Sequence, residues 1–340
     1  MRLENVLALT HGKLVNEPFV NTFTNIVFDA KTVSRGDLFL AFDEDSISDA
    51  IFNGAYGVIF SKPTQISDSE IAWIKVQNIE ESLKRLLRFR LIEKDITVYE
   101  CNEIIIKLSS QIITEPSFIA LDGNIKSLFK QLWNLEENST ILFCPTFIDK
   151  KIFTKTIQLS NNSFTHINII EQTLFETSFI YDDIFYERQQ ISPFFMPYLE
   201  ILLNLFKNLK INYRLKKFIP IDHFEAVFTN KKFEIKEFGT SDKVLIFEKN
   251  CSLVESEILY LQREATWAKI VYVIPKTEEL LIDKVAIQDS VIVYSNENEI
   301  VPLLKESSFH FALIIGTDKS ILSKPLNNQA EISLFDLYDF

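Results

Sequence analysis

Glycine is scarce in this chain, and its scarcity argues against the usual way of binding a nucleotide. Only seven of the 340 residues are glycine. A loop that wraps phosphates with backbone N–H groups needs glycines within a few residues of each other, because they permit positive φ and close approach. Only Gly54 and Gly57 are that close, and no Lys-Ser or Lys-Thr pair follows them. We therefore predict packing and turn roles for these two glycines.

Cysteine, long apolar runs and positive charge are also in short supply. The three cysteines are far apart and odd in number, which favours reduced thiols over a disulfide framework. The chain has no uninterrupted run of about 18 apolar residues, which a membrane helix requires, and its start lacks the apolar core of a signal peptide. The net charge of -12 disfavours binding to a phosphate backbone. These features predict a soluble cytoplasmic protein that neither binds nucleic acid nor inserts into a membrane.

Apolar residues, by contrast, are plentiful enough for two or three domain cores. They make up 47% of the chain, with 30 phenylalanines. Short β-favouring runs at residues 26–28, 38–42 and 58–60 are separated by turn residues, which predicts strand, turn, strand, short helix, strand. A strand over 71–76 and an amphipathic helix over 80–90 follow. Further strands and helices alternate to the end of the chain: a helix over 199–209, a helix over 258–263, a strand over 270–274, a strand over 290–294, a helix over 299–305 and a strand over 311–315.

Two motifs in the first sixty residues match the pattern of a known family. Residues 29–42, DAKTVSRGDLFLAF, are similar to the family pattern D-[ST]-R-x-[VL]-x-x-G-[DC]-L-F-[VL]-A-L. Residues 53–59, NGAYGVI, are similar to the helix end A-x-x-x-G-A-x-G and the strand after it. In these motifs the chain resembles the N-terminal domain of the Mur ligases, which use ATP to add amino acids to UDP-muramyl precursors of the bacterial cell wall. Within the family, the chain is most similar to the D-alanyl-D-alanine-adding member.

The resemblance implies a fold and a division into domains. The expected fold class is α/β, with a three-domain Mur-ligase-like architecture, a shortened central domain and a Rossmann-like C-terminal domain. Residues 1–92 would form the UDP-sugar-binding-like domain, 93–217 a degenerate central ATPase-like domain, and 218–340 the C-terminal domain.

The loop that holds the ATP phosphates in the family is replaced here. In a Mur ligase the next strand runs into G-x-x-G-K-[ST]-[ST], but in residues 95–107 Cys101 stands at the first glycine and three isoleucines replace the Gly-Lys-Thr core. Such residues cannot present converging N–H groups, and Glu100 and Glu103 would repel a triphosphate. Lys107 comes two positions too late and is expected to be a solvated helix lysine.

A second lysine lies in a segment that at first suggests a damaged phosphate loop. Residues 118–127 run as a strand into Lys126-Ser127, but Ile125 occupies a position that requires glycine. The segment is more similar to the family's later T-x-G-N turn, because leucines follow it at helical spacing. Gly123-Asn124 is then expected to be a retained turn before a helix.

Two further family landmarks are altered. The strand that should end in Glu-[LM]-Gly, whose carboxylate helps to hold magnesium, corresponds to residues 140–146, and no hard oxygen ligand follows before Asp149. His166 is of the residue type that the family uses nearby, but it precedes Asn168 instead of following it.

The C-terminal part keeps fragments of two family motifs. Residues 219–225 resemble the P-x-x-G-R-[FLM]-E linker, with His223 in place of the arginine. Residues 243–256 align without gaps with a strand and the loop D-D-S-Y-N-A-N-P-x-S, of which Glu248, as a substitute acid, and Ser256 remain.

These departures lead to the hypothesis of a catalytically inactive Mur-ligase-like protein, linked to peptidoglycan precursor synthesis by binding or scaffolding. It would have no catalytic residue, metal or cofactor, since phosphoryl transfer depends on preorganised positive charge and metal. The resemblance implies weak UDP-sugar binding by Asp29, Lys31 and Thr32, with Lys31 as a point charge in place of arginine and Ala30 lacking a hydroxyl. The expected partners are a UDP-muramyl peptide or cell-wall synthesis proteins.

Two alternatives stay open. One is an active D-alanyl-D-alanine-adding ligase that uses ATP and Mg²⁺ in a site rebuilt from Lys107, Lys126 and His166. The other is a purely structural interaction protein with neither ligand. ATP consumption that depends on a UDP-muramyl peptide distinguishes the first from the rest.

Overall fold

The computed structural model describes residues 1–133, 135–146, 148–159, 166–278 and 291–322. The chain divides into two units: the first comprises Met1–Asn162 and Leu205–Arg214, and the second comprises Ser163–Asn204 and Leu215–Phe340. The domain boundaries expected at 92/93 and 217/218 stay a prediction. Within the described ranges, no helix is long and apolar enough to cross a membrane.

The first sheet of the first unit is built from the N-terminal motifs. Its order is β1-β5-β4-β3-β2, parallel except for β1. The strands and the helices between and after them are α1 (Leu3–Thr10), β1 (Lys13–Leu14), β2 (Ile26–Val27), β3 (Leu38–Leu40), α2 (Ser46–Phe52), β4 (Gly57–Phe60), β5 (Ala72–Lys75) and α3 (Ile79–Ile92). The predicted order of elements over this stretch is confirmed.

Glycines shape the connections of the first sheet. Gly36 and Gly54 have φ of +98° and +102°, a region that residues with a Cβ rarely adopt. A Cβ on Gly54 would lie 3.1 Å from the Arg35 Cα, and a Cβ on Gly57 would lie 2.7 Å from the Phe23 ring. The predicted packing and turn roles of Gly54 and Gly57 are thereby confirmed.

A second, parallel sheet completes the first unit, in the order β7-β8-β6-β9. Its elements are β6 (Thr97–Glu100), α4 (Glu103–Ile112), β7 (Phe118–Ala120), α5 (Ile125–Trp133), β8 (Thr140–Phe143) and β9 (Ile157–Gln158). One apolar core is shared by the two sheets: Leu40 and Ile74 of the first sheet belong to the same buried cluster as Ile141 of β8 and Leu128 of α5.

The second unit begins with a small antiparallel sheet and a helix. The sheet consists of β10 (Asn168–Gln172), β11 (Thr177–Tyr181) and β12 (Ile184–Gln189), and the helix is α6 (Met196–Leu209), whose last five residues are assigned to the first unit. Asp182 and Asp183 form the two-residue turn between β11 and β12, with φ of +47° and +61°. Positive φ at both positions is the geometry of a type I′ hairpin, which Asp tolerates.

The last sheet of the second unit is mainly parallel. Its order is β13-β14-β17-β15-β16, and β13 alone runs antiparallel. Its elements are β13 (Glu225–Thr229), β14 (Lys243–Glu248), α7 (Val254–Glu264), β15 (Ile270–Pro275), β16 (Val291–Tyr294), α8 (Glu297–Lys305) and β17 (Phe311–Ile315). The predicted Rossmann-like alternation is confirmed, although α7 begins four residues before the predicted start. Residue 290 of the predicted strand lies outside the described residues.

Candidate functional site

A cavity of about 510 Å³ opens on the first unit, and it is lined by residues of the connections and helices that flank its two sheets. Asp29 and Lys31, which the resemblance nominated for a UDP-sugar, lie on one side, and Lys126 lies on the other. We call it the lysine cavity, because Lys31, Lys126 and Lys130 all line it. The remaining lining residues are Phe28, Ala30, Asp43, Ser46, Asp49, Asn124 and Ser127.

A short 3-10 turn, Ala30–Thr32, presents Lys31 to the cavity. The Asp29 carboxylate caps this turn by accepting the Lys31 backbone N–H at 3.1 Å. The Thr32 hydroxyl donates to the Asp29 carbonyl at 2.9 Å and is not part of the lining. Ala30 is buried and its carbonyl accepts the Asn53 side-chain amide at 2.9 Å. The turn is therefore fixed by local hydrogen bonds, while the Lys31 ammonium group extends into solvent.

Helix α5 supplies the opposite wall. The Asn124 side chain accepts the backbone N–H groups of Lys126 and Ser127, at 3.1 and 3.2 Å, so the first turn of the helix is capped by its own sequence. The Lys126 ammonium lies 4.2 Å from the centre of the Phe42 ring, and that of Lys130 lies 5.5 Å from the Phe28 ring. Such cation–π contacts orient the lysines without neutralising them.

Carboxylates also line the cavity, but two of them are already committed. Asp29 caps the 3-10 turn, and Asp43 accepts the Ser46 N–H at 3.0 Å. The Ser46 hydroxyl and N–H, and to a lesser extent the Lys126 ammonium, hold the pKa of Asp43 below its ordinary value. Within the described ranges, neither Lys31 nor Lys126 nor Lys130 forms an ion pair with any carboxylate. Three ammonium groups are thus available to an anion.

The connection from β6 to α4, which the resemblance aligns with the phosphate loop of the Mur ligases, is short. Only Cys101 and Asn102 connect β6 to α4, and the Asn102 side chain caps the helix by accepting the Ile105 N–H at 2.9 Å. The three isoleucines at 104–106 are buried. Lys107 forms an ion pair with Asp122, at 2.9 Å between Nζ and Oδ2. The sequence placed Lys107 in solvent, whereas the structure pairs it with a carboxylate of the same unit.

The end of β8, where the family carries its magnesium acid, is apolar and thiol-lined. Cys144 is buried, and its sulfur lies 2.9 Å from the Thr146 hydroxyl. Cys101, directly after the neighbouring strand β6, is also buried, and burial raises the pKa of its thiol well above the ordinary value. Within the described part of the chain, no group of three or more His, Cys, Asp or Glu side chains could hold a metal ion.

His166, the third residue of the rebuilt-site alternative, belongs to the second unit and is exposed. Lys107 and Lys126 both belong to the first unit. A buried contact that the sequence did not predict joins two other residues of the second unit, His223 and Glu248, at 3.1 Å between Nδ1 and Oε1. The sequence did contain a hint of this contact, because the resemblance places both residues at positions where the Mur ligase motifs carry a different residue.

The parallel sheets and their flanking helices place the chain in the α/β class. No protein-family model matches it, and no curated protein does. Among solved structures, MurF from Acinetobacter baumannii is similar at a TM-score of 0.52 and 11% identity, over 95% of this chain and 99% of that one. MurF ligase from Thermotoga maritima in complex with ADP has a TM-score of 0.49 and 13% identity, over 87% and 94%. The first comparison shows that this chain has a Mur-ligase-like fold; identities this low show the fold alone.

Proposed function

We propose that this protein is a catalytically inactive relative of the Mur ligases that binds a UDP-linked cell-wall precursor in the lysine cavity. The observation that carries the proposal is the two-residue connection between β6 and α4. A loop that surrounds a triphosphate needs several residues with converging N–H groups. Here one of the available N–H groups is bonded to the Asn102 cap and the following isoleucines are buried. Among the described residues this connection offers no such loop, which supports a protein without ATP-driven ligation.

The lysine cavity supports the binding half of the proposal. Its volume lies in the range of small-ligand sites, about 300–1,000 Å³, and three lysines line it. A diphosphate carries negative charge on several oxygens, which Lys31 and Lys126 can contact from opposite walls as point charges. The cavity also contains Phe28, which offers an apolar face to a base or sugar ring. We accordingly propose a UDP-muramyl peptide as the ligand, bound without metal or other cofactor.

Calorimetric titration with a UDP-muramyl peptide, with and without ATP and Mg²⁺, tests this proposal. We expect binding that neither ATP nor Mg²⁺ changes, and loss of most of that binding in a Lys31→Ala, Lys126→Ala double variant. Lys150→Ala is the matched control, because Lys150 is an exposed lysine of the same unit outside the cavity. If the unaltered protein does not bind the UDP-muramyl peptide, the proposed ligand is wrong. The remaining proposal is then a purely structural interaction protein.

The active ligase remains the second candidate, and the observation in its favour is that Lys126 faces the same cavity as Lys31. It predicts ATP hydrolysis that requires both Mg²⁺ and the precursor. If phosphate is released under those conditions and Lys126→Ala abolishes the release, the protein is an active ligase with a rebuilt site and the inactive-protein proposal is wrong.

A further inference from the structure

A buried group of three titratable side chains lies in the second unit, and none of the three lines the lysine cavity. Glu248 ends β14, Glu257 lies in the first turns of α7, and His223 precedes β13. Both glutamates are 0% exposed and His223 is 3% exposed. Water cannot hydrate a charge at this depth, so each charge must be stabilised by neighbouring groups or removed by a proton.

Glu248 receives hydrogen bonds on both of its oxygens. His223 Nδ1 lies 3.1 and 3.2 Å from them, the Phe224 N–H donates at 3.1 Å, and the Asn250 N–H donates at 2.6 Å. Donors on both oxygens are typical of an ionised carboxylate. Phe224 has a φ of +45°, a strained value for a bulky residue, so Glu248 holds the His223–Phe224 turn in an unfavourable conformation.

Glu257 has the opposite environment. Its carboxyl lies beside that of Glu248, yet neither oxygen meets a hydrogen-bond donor among the described residues. Burial, and then the negative charge of Glu248, raise the pKa of Glu257 well above its ordinary value. Two other titratable groups nearby, Tyr198 of α6 and Cys251 after β14, cannot carry a positive charge, and burial raises the pKa of both, so they add no negative charge either.

We propose that Glu257 is a buried proton switch that controls the attachment of the His223–Phe224 turn to the end of β14. While Glu257 carries its proton, Glu248 is the single negative charge and retains its three donors. When the proton leaves to solvent, a second negative charge appears beside Glu248 in a dry site, and the turn detaches so that water can reach both carboxylates.

The direction of the pH dependence follows from proton counting. The attached form binds one more proton than the detached form, in which Glu257 returns to its ordinary value near 4.5. Attachment is therefore complete below that value and is lost as pH rises towards the pKa of the folded protein. The population of the detached form should rise by up to about tenfold per pH unit in this window.

Hydrogen–deuterium exchange of peptides that cover residues 219–228, measured on the full chain between pH 5 and 9, tests the switch. After correction for intrinsic exchange, we expect the protection of these amides to fall with rising pH, and Glu257→Gln to remove that fall. Glu255→Gln is the matched control, because Glu255 lies in the same turn of α7 but is exposed, and it should behave as the unaltered protein does. An unchanged slope in Glu257→Gln, or no slope in the unaltered protein, would refute the switch.

A second measurement needs no variant of Glu257. In protein labelled with ¹³C at the glutamate carboxyl carbons, one resonance should titrate at a clearly higher pH than the other glutamates. If all glutamate carboxyls titrate in the ordinary range, Glu257 is not the proton holder.

Discussion

Lys31 and Lys126 illustrate how two residues of one type differ through their surroundings. Lys31 is the middle residue of a tight 3-10 turn and is exposed, whereas Lys126 is half-buried with its ammonium over the Phe42 ring. The half-buried lysine has less water to lose and fewer rotamers to fix when an anion arrives. We therefore expect Lys126 to contribute more to precursor affinity than Lys31.

Single substitutions at these positions provide the test. Lys126→Ala should weaken precursor binding by about 10- to 100-fold, the equivalent of about 1.5–3 kcal/mol for a charge-assisted hydrogen bond. Lys126→Arg keeps the positive charge and should lose much less. Thr32→Ala is the informative control, since the Thr32 hydroxyl is bonded to the Asp29 carbonyl outside the lining. Calorimetry on these variants and on Lys31→Ala checks the ranking: Lys126→Ala should lose more affinity than Lys31→Ala, and equal losses in the two would contradict it.

At the scale of elements, the connection from β6 to α4 is short and closed by its own sequence. Two residues separate the strand from the helix, and Asn102 satisfies the first turn of the helix with a side-chain oxygen. This cap stabilises the helix, and because the side chain already accepts an N–H group of the first turn, no bound anion is needed to do so.

Asn102→Ala should therefore destabilise the fold without altering ligand binding. Loss of an N-cap costs about 0.5–2 kcal/mol in the free energy of unfolding, which urea denaturation measures. Ser110→Ala, an exposed position in the last turn of the same helix, should change that free energy by about 0.5 kcal/mol or less. If Asn102→Ala instead abolished precursor binding, the helix N-terminus would belong to the binding site.

The elements of the chain were easier to predict from sequence than the contacts between them. Strands such as Leu38–Leu40 and Gly57–Phe60 were predictable because their apolar runs are short, β-favouring and bounded by glycine. The lysine cavity was not, because Lys31 and Lys126 lie on different elements, and a sequence does not show which helix faces which turn. The sequence does not mark Glu257 as unusual, because an acidic residue in the first turns of a helix is ordinarily solvated. Only the packing of α7 buries it.

At the scale of the whole molecule, the two proposals assign different signals to the two units. The lysine cavity lies within the first unit, and the Glu248–Glu257 pair lies within the second. We therefore expect ligand binding to protect peptides of the first unit from hydrogen exchange, and proton release to expose peptides of the second unit.

Hydrogen–deuterium exchange over the whole chain can separate these effects in a single experiment. A UDP-muramyl peptide at 100 times its Kd should stabilise the binding-competent form by about 2.7 kcal/mol, and we expect the added protection in peptides around residues 28–31, 42–49 and 124–130. A rise from pH 5 to pH 9 without ligand should instead reduce protection around 219–228 and 248–258, because the detached turn no longer covers the end of β14. If the ligand instead protected residues 248–258 most strongly, the lysine cavity would not be the binding site. The precursor would then contact the second unit, at the residues that the proton switch controls.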